Sequence, residues 1–436
     1  MYNFSKLLAS STDSDFEEKL ARLRREHSMT EYLLHNQDIA GRVRDVVLDV
    51  GKRGDKAVCE YTERFDNISF EPSEFRVSEE AMHVSHEHLP EDLLSSMRRS
   101  IENVRDYQSR IFVGGCSQEG AVKYTPLKRV GLCIPGASAP LPSTVIMTAV
   151  PAMAAGVDQI TVISPPRFEG SIHPVILGLC WELGISEVYR IGGAQAVAAL
   201  AWGTETIPKV DKIAGPGNDY VQLAKKEVFG LVDMDSFAGP SDVLIMADEN
   251  ANPSWIAADM LSQAEHNPGA GIVVTNSESF AKEIISEVES QCSRLSRSRE
   301  TAECLKKYSA VVAVEDEEAV IDFANSFAAE HLEVQFGRRS REIAEKIKNA
   351  GAIFIGPYSP VAAGDYFAGP SHTLPTRQSS KYFSPLSSND FVKSSSIIDF
   401  SENMLREGAD DIIRLAEIEG LDAHAKSVAI RLGKAD

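Results

Sequence analysis

The segment Val188-Tyr189-Arg190-Ile191-Gly192-Gly193-Ala194-Gln195-Ala196-Val197-Ala198-Ala199-Leu200-Ala201 decides the fold class. Val188 to Ile191 suits a buried strand, the two glycines suit a turn, and Gln195 to Ala201 suits a helix packed on the strand. The same succession recurs on either side. Expected strands are Ile160 to Ser164, Lys212 to Ala214, Val243 to Ala247, Ile272 to Thr275, Val311 to Val314 and Ala352 to Ile355. Between them, His173 to Leu183, Tyr220 to Phe229, Trp255 to Glu265, Ala281 to Ser290, Glu317 to Ala328 and Ser340 to Asn349 read as helices. Such alternation predicts parallel sheets in an α/β fold, and the strands are too many for one simple sheet, so two α/β units are expected.

Outward from this region the texture changes. Phe16 to Arg25 and Ile39 to Phe65 carry apolar residues at three- and four-residue spacing, which predicts a helical entry segment, and Glu402 to Leu432 returns to helix. Pro357 to Ser388 is rich in Gly, Pro, Ser and Thr and reads as a long irregular loop of the kind that often serves a site. No repeat of fixed period is present.

Composition narrows the function classes. The chain has 436 residues, 43% hydrophobic and 25% charged, as in ordinary folded proteins. Lys plus Arg number 44 against 64 Asp plus Glu, a formal net charge of −20 that disfavours nucleic acid and anionic membrane surfaces as partners. The longest apolar run, Val145 to Val157, is interrupted by Thr148 and Pro151 and falls short of the ~20 residues that span a bilayer. Leu7 to Ala9 is too short for an export signal. The six cysteines, Cys59, Cys116, Cys133, Cys180, Cys292 and Cys304, show no C-x-x-C spacing, so neither a disulfide framework nor a thiolate metal site is expected, and a cytoplasmic location fits.

Ten histidines invite a search for metal and proton chemistry. His83, His86 and His88 have metal-like spacing but lie among Glu79, Glu80, Glu87 and Glu91, which favours a solvated helix. His173 beside Pro174 reads as a helix cap. Gln263 and His266 are three apart and emerge on one helix face, where they would share a ligand or simply end the helix before Asn267 and Pro268. Glu330 and His331 sit at a helix-to-strand junction, where neighbours can address one pocket and two proton acceptors of different basicity suit successive deprotonations; a surface pair is the alternative. Asp365 and His372 lie among small residues in the irregular loop, and His424 follows Glu419 in the tail. Gln263, His266, Asp365 and His424 together offer oxygen and nitrogen donors compatible with zinc, although their spacing alone does not define a site. Neither a P-loop nor a Gly-x-Gly-x-x-Gly fingerprint occurs, but Ile191-Gly192-Gly193-Ala194-Gln195 and Gly215-Pro216-Gly217-Asn218 each follow a strand and open a helix, where backbone N–H groups can face an anionic cofactor.

Strings then add to spacing. Val130-Gly131-Leu132-Cys133-Ile134-Pro135-Gly136, Ile191-Gly192-Gly193-Ala194-Gln195-Ala196, Gly215-Pro216-Gly217-Asn218, Ala238-Gly239-Pro240-Ser241, Leu261-Ser262-Gln263-Ala264-Glu265-His266, Ala329-Glu330-His331-Leu332 and Gly369-Pro370-Ser371-His372-Thr373-Leu374-Pro375-Thr376 occur in this order. With Gly54-Asp55-Lys56-Ala57 and Arg64-Phe65-Asp66 before them, they resemble the histidinol dehydrogenase family over nearly the whole chain.

The resemblance implies a zinc-dependent, NAD-linked four-electron oxidation of L-histidinol through L-histidinal to L-histidine, the last step of histidine biosynthesis. A paralogous zinc and NAD alcohol dehydrogenase acting on another small polar alcohol, or a metallohydrolase using the same donors, stands as the alternative. It further implies one Zn2+ per subunit held by Gln263, His266, Asp365 and His424, with Glu330 and His331 as proton acceptors. Substrate contacts fall on Ser241, Gln263, His266, His331, Asp365, His372, Glu419 and His424, and NAD+ contacts on Cys133, Gln195 and Asn218. The implied assembly is a homodimer whose tails complete each other's sites. The implied fold is two Rossmann-like α/β domains: residues 1–29 form a helical arm, 30–130 with 242–382 the first domain, 131–241 the second, and 383–436 a helical tail. The family has Tyr where this chain has Cys133, and Gly-Gly-Thr-Ala-Arg where it has Arg377-Gln378-Ser379-Ser380-Lys381.

Overall fold

The computed structural model describes residues 2–115, 121–136, 140–266 and 268–433. Cys116 and Asn267, the latter expected to help end a helix, lie outside the described residues. Strands in chain order are β1 (Leu8–Ser10), β2 (Val122–Pro126), β3 (Arg129–Cys133), β4 (Gln159–Ile163), β5 (Glu187–Tyr189), β6 (Lys212–Ala214), β7 (Asp233–Met234), β8 (Ser241–Ala247), β9 (Gly269–Thr275), β10 (Ala310–Ala313), β11 (His331–Gln335), β12 (Ala352–Ile355) and β13 (Val392–Ser396). They form a six-stranded sheet ordered β1-β10-β9-β8-β11-β12, a five-stranded sheet ordered β5-β4-β3-β6-β7, and a pair β13-β2. Both larger sheets are parallel throughout. The fold is therefore α/β with parallel sheets, as the strand and helix alternation predicts.

Side-chain alternation explains how each sheet is covered on two faces. On the six-stranded sheet, Val243, Ile245, Val273 and Val311 pack under the helices Pro253–Ala264 and Glu278–Cys292, while Leu244, Met246, Ile272, Val274 and Val334 pack on the other face against Phe16–Glu26 and Glu317–Phe327. On the five-stranded sheet, Leu132, Val162 and Val188 face Glu91–Ile111, Pro142–Ala154 and Pro174–Glu182, and Cys133, Ile163 and Ile213 face Gln37–Arg53, Gly193–Trp202 and Asp219–Val228. The apolar run around Pro151 is one of these buried helices, Pro142–Ala154. Among the described residues no helix is long and apolar enough to cross a membrane.

Local differences from expectation have identifiable causes. The expected helix Ser340 to Asn349 stops at Ala344, because beyond it Asn325 takes over the backbone: its Oδ1 accepts from Lys348 N at 2.6 Å and its carbonyl accepts from Asn349 Nδ2 at 2.9 Å. The loop holding Asp365 is helical over Val361–Tyr366, so Asp365 sits on a short helix. The short apolar patch Leu7 to Ala9 overlaps an edge strand, Leu8–Ser10, that pairs with β10.

The chain divides into two compact units, 1–113 with 126–392 and 114–125 with 393–436. The second contains the helices Glu402–Ile418 and Asp422–Arg431, which pack on each other; their buried residues are Ala409, Ala416, Ala425 and Val428. This agrees with the helix expected from Glu402 to Leu432.

Candidate active site

Two neighbouring strands of the six-stranded sheet begin at the site. Parallel pairing of β8 and β11 sets His331 opposite Val243, so Ser241 and Asp242 lie beside Glu330 and His331. Glu330 N donates to Asp242 Oδ1 at 2.9 Å, and Asp242 N donates to Glu330 Oε2 at 3.0 Å. Those reciprocal bonds fix the junction at which the helix Glu317–Phe327 passes into β11. Ala328 takes the left-handed conformation there, φ 53°, which ends the helix and turns the chain.

His331 Nδ1 lies 3.0 Å from the carbonyl oxygen of Asp242. A carbonyl only accepts, so Nδ1 carries the hydrogen and Nε2 keeps its lone pair. Nε2 is buried without a partner, 3.8 Å from Asp365 Oδ1. Burial brings the imidazole pKa down to about 4, with the nearby rings of His372 and His266 adding to the effect. The ring is thus neutral at physiological pH. Glu330 is displaced the other way: burial, then the charge of Asp242, raises its carboxyl well above the usual range, while a hydrogen bond from Ser241 opposes the shift. Burial also raises Asp242 and Asp365 to about 6.

Several elements bring further polar groups to this place. Gln263, 2% exposed near the end of the helix Pro253–Ala264, has a buried Nε2 without a partner, and His266 follows just beyond that helix. His372 Nε2 lies 3.2 Å from Ser143 Oγ, and the adjacent Ser371 Oγ donates to Met147 O at 2.8 Å, so the helix Pro142–Ala154 holds the His372 segment. Glu419 and His424 are in the second unit: Glu419 caps the helix Glu402–Ile418, His424 lies in Asp422–Arg431, and both are exposed. Among the described residues no three His, Cys, Asp or Glu side chains of the single chain are grouped so as to hold a metal ion. The orphaned atoms of Gln263 and His331 nevertheless suit a polar occupant, because buried polar groups are rarely left unpaired.

A separate cleft of about 730 Å³ opens at the carboxyl ends of β3, β4, β5 and β6. Open parallel sheets bind ligands outside these ends, where the strand order reverses. Cys133, Gln195 and Asn218 all line it. Gln195 is 1% exposed and its Oε1 lacks a partner, whereas Asn218 caps the helix Asp219–Val228 through Val221 N at 3.2 Å. Cys133 is buried, and burial pushes its thiol up to about 12. Asp66, from the string Arg64-Phe65-Asp66, also lines the cleft, 3.8 Å from Arg167.

Some contributors carried no signal of their own in the sequence. The buried pair Lys225 and Asp235 underpins the cleft loop: Lys225 Nζ donates to the carbonyls of Gly215 and Ser236 at 3.0 and 3.2 Å, and Gly215 N donates to Asp235 Oδ2 at 2.6 Å. Gly215, at φ 112°, passes so near β3 that a Cβ would fall 2.5 Å from Cys133 O. Arg377 stacks on Tyr32 and lies 3.8 Å from Asp219, while its charge is felt at Asp242. The remaining histidine candidates have structural duties. His173 Nδ1 accepts from Val175 N as a cap, His86 pairs with Glu182 at 2.6 Å, and His83 packs on Trp181.

Comparison with known proteins gives this geometry a context. The family model described as histidinol dehydrogenase matches residues 30–432. The chain belongs to the histidinol dehydrogenase family. The family relative from Geobacillus kaustophilus is 44% identical over 401 residues, covering 90% of this chain and 94% of that protein. One from Rhodopirellula baltica is 43% identical over 395 residues, covering 89% and 86%. The crystal structure of histidinol dehydrogenase from Elizabethkingia anophelis superposes with a TM-score of 0.87 at 32% identity and covers 98% of each chain. The resemblance drawn from the motif strings is therefore borne out over almost the whole length of the chain.

Proposed function

We propose that the chain carries out the oxidation for which its family is named, converting L-histidinol through L-histidinal to L-histidine in histidine biosynthesis. The chain is an oxidoreductase of amino-acid biosynthesis. The observation that carries the mechanism is the state of His331, neutral with Nδ1 tied to Asp242 and Nε2 unpaired, next to a carboxyl of raised pKa.

In the first half-reaction His331 Nε2 accepts the proton of the substrate hydroxyl. In the second, Glu330 accepts a proton from the water that adds to the aldehyde, and burial makes this carboxylate a stronger base than an exposed one. Asp242 holds both groups in place. Zn2+, one per subunit, would be held by Gln263, His266, Asp365 and His424 and would supply an anchor for the imidazole and amine of histidinol. NAD+, held in the cleft beside Cys133, Gln195 and Asn218, would accept one hydride in each half-reaction, two NAD+ being consumed per histidinol. Ser241, His372 and Glu419 complete the substrate contacts, joined by the metal ligands and His331.

We assign the two parallel sheets to two Rossmann-like domains and 383–436 to a tail; the expected division into 1–29, 30–130 with 242–382 and 131–241 does not follow the packing, because Gln37–Arg53 and Glu91–Ile111 cover the five-stranded sheet and β1 joins the six-stranded one. The active form is a cytoplasmic homodimer in which tails are exchanged. Supporting this, the second unit exposes Ile398 and Ile418 at 83% each and Ile430 at 66%, an apolar surface that calls for cover. The test is NADH formation followed by absorbance with histidinol as substrate, with and without a chelator. Chelator-sensitive NADH formation is expected; none from zinc-loaded protein would overturn the reading.

A further inference from the structure

Glu333 lies two residues beyond His331 on β11 and is fully buried. A carboxyl there is costly unless its oxygens are partnered. Its Oε1 accepts from Val361 N at 3.2 Å, and its Oε2 accepts from Gln335 Nε2 at 3.4 Å; Gln335 Nε2 also reaches Gly356 O at 3.3 Å. The carboxyl of Asp259 hydrogen-bonds Glu333 as well. Carboxylates only accept, so one member of this pair must carry a proton. The direction of both pKa values agrees: burial and the charge of Asp259 raise Glu333, and burial raises Asp259 to about 6.

The elements that meet at this pair are the ones that carry site residues. Asp259 is on the helix Pro253–Ala264, one turn before Gln263, and Val361 begins the short helix Val361–Tyr366, one turn before Asp365. Pro360 precedes that helix and its N-cap makes no side-chain hydrogen bond, so Glu333 supplies the acceptor that a local cap would otherwise provide. Gln263, His331 and Asp365 thus depart from a single buried node.

We propose that Asp259 and Glu333 form a proton-sharing positioning pair that sets the mutual placement of Gln263, His331 and Asp365. This rests on the reading of those three residues as ligands and base given above. Neither carboxyl touches substrate; both act through the backbone they hold.

The test compares Glu333→Gln, which can still accept from Val361 N and donate to Asp259, with Glu333→Leu and Asp259→Leu, which cannot sustain the pair. Zinc affinity is measured by chelator competition, kcat and KM for histidinol separately, and folding by circular dichroism. Glu333→Gln is expected to stay within a few-fold of the unmodified protein. The leucine variants are expected to hold zinc about 10- to 100-fold more weakly, as for other groups that orient metal ligands, and to lose kcat. If Glu333→Leu does not fold, Asp259→Leu decides, because Asp259 is only half-buried. Folded leucine variants with unchanged zinc affinity and kcat would overturn the proposal, as would a Gln variant no better than Leu. If the unmodified protein itself held no zinc and oxidised no histidinol, the functional reading would fall instead.

Discussion

Asp242 and Glu330 hold one another twice, each backbone N–H donating to the other's carboxylate, at 2.9 and 3.0 Å. Glu330 is thereby fixed in the low-dielectric setting that raises its pKa, with the Asp242 charge contributing to the rise. Asp242→Asn retains an acceptor for Glu330 N but removes that charge, so activity in the aldehyde step should fall modestly and its acid limb should move to lower pH. Asp242→Ala also removes the acceptor, and a larger loss is expected, about 100-fold in kcat. Single-turnover oxidation of histidinal across pH separates the two variants.

Glu330→Gln and His331→Asn should divide the reaction between them. Glu330→Gln is expected to slow oxidation of histidinal about 100- to 10,000-fold while affecting the alcohol step less; His331→Asn should impair the alcohol step too. Equal losses in both half-reactions for each variant, with zinc retained, would contradict the separate roles.

Purified protein should contain about one zinc per chain, and His266→Asn and His424→Asn should each lose it, since a site missing one of its ligands is incomplete. Metal analysis after dialysis measures this directly, and full occupancy in both variants would remove them from the ligand set.

Mixing His424→Asn chains with His331→Asn chains tests the exchange of tails. In a heterodimer with exchanged tails one site collects both lesions and the other is intact, so activity should recover toward half of the unmodified level per dimer. With each tail serving its own chain, every site is damaged and no mixing ratio restores activity once subunit exchange has been verified.

His27 offers a pH prediction away from the site. Its Nε2 donates to Tyr308 O at 3.1 Å, and burial, helped by the charge of Arg377, lowers its pKa from 6.5 to about 4. The unfolded chain therefore binds a proton that the folded chain refuses between these values. The stability that neutral His27 contributes is present above pH 6.5 and is lost as pH falls toward 4. His27→Gln should flatten the dependence of the urea midpoint on pH in that window by about one proton, or about 1.4 kcal/mol per pH unit. An unchanged slope would show that His27 is not the group responsible.

Much of this fold is legible in the sequence, because burial on both sides of a parallel sheet writes itself as short apolar runs between amphipathic or apolar helices. Ile160 to Ser164 and Val243 to Ala247 stand out for that reason. At Glu330 and His331 the helix-to-strand junction allows either a surface pair or a pocket, and burial of both side chains decides against the surface pair. Leu8–Ser10 is not legible as a strand, since three residues show no periodicity and become a strand only because β10 offers an edge. The helix at Asp365 was hidden for a similar reason: its first N–H is satisfied by Glu333, 28 residues upstream. Asp242, Lys225, Asp235 and Arg377 have ordinary local surroundings in the sequence, and their importance arises from tertiary neighbours alone.

The buried thiol of Cys133 has a chemical consequence of its own. An exposed thiolate in such a cleft would be open to peroxide and alkylating agents. Here burial keeps the sulfur protonated, its pKa pushed up to about 12, so it offers no thiolate nucleophile. Cys133 should therefore react slowly with peroxide and alkylating agents at neutral pH.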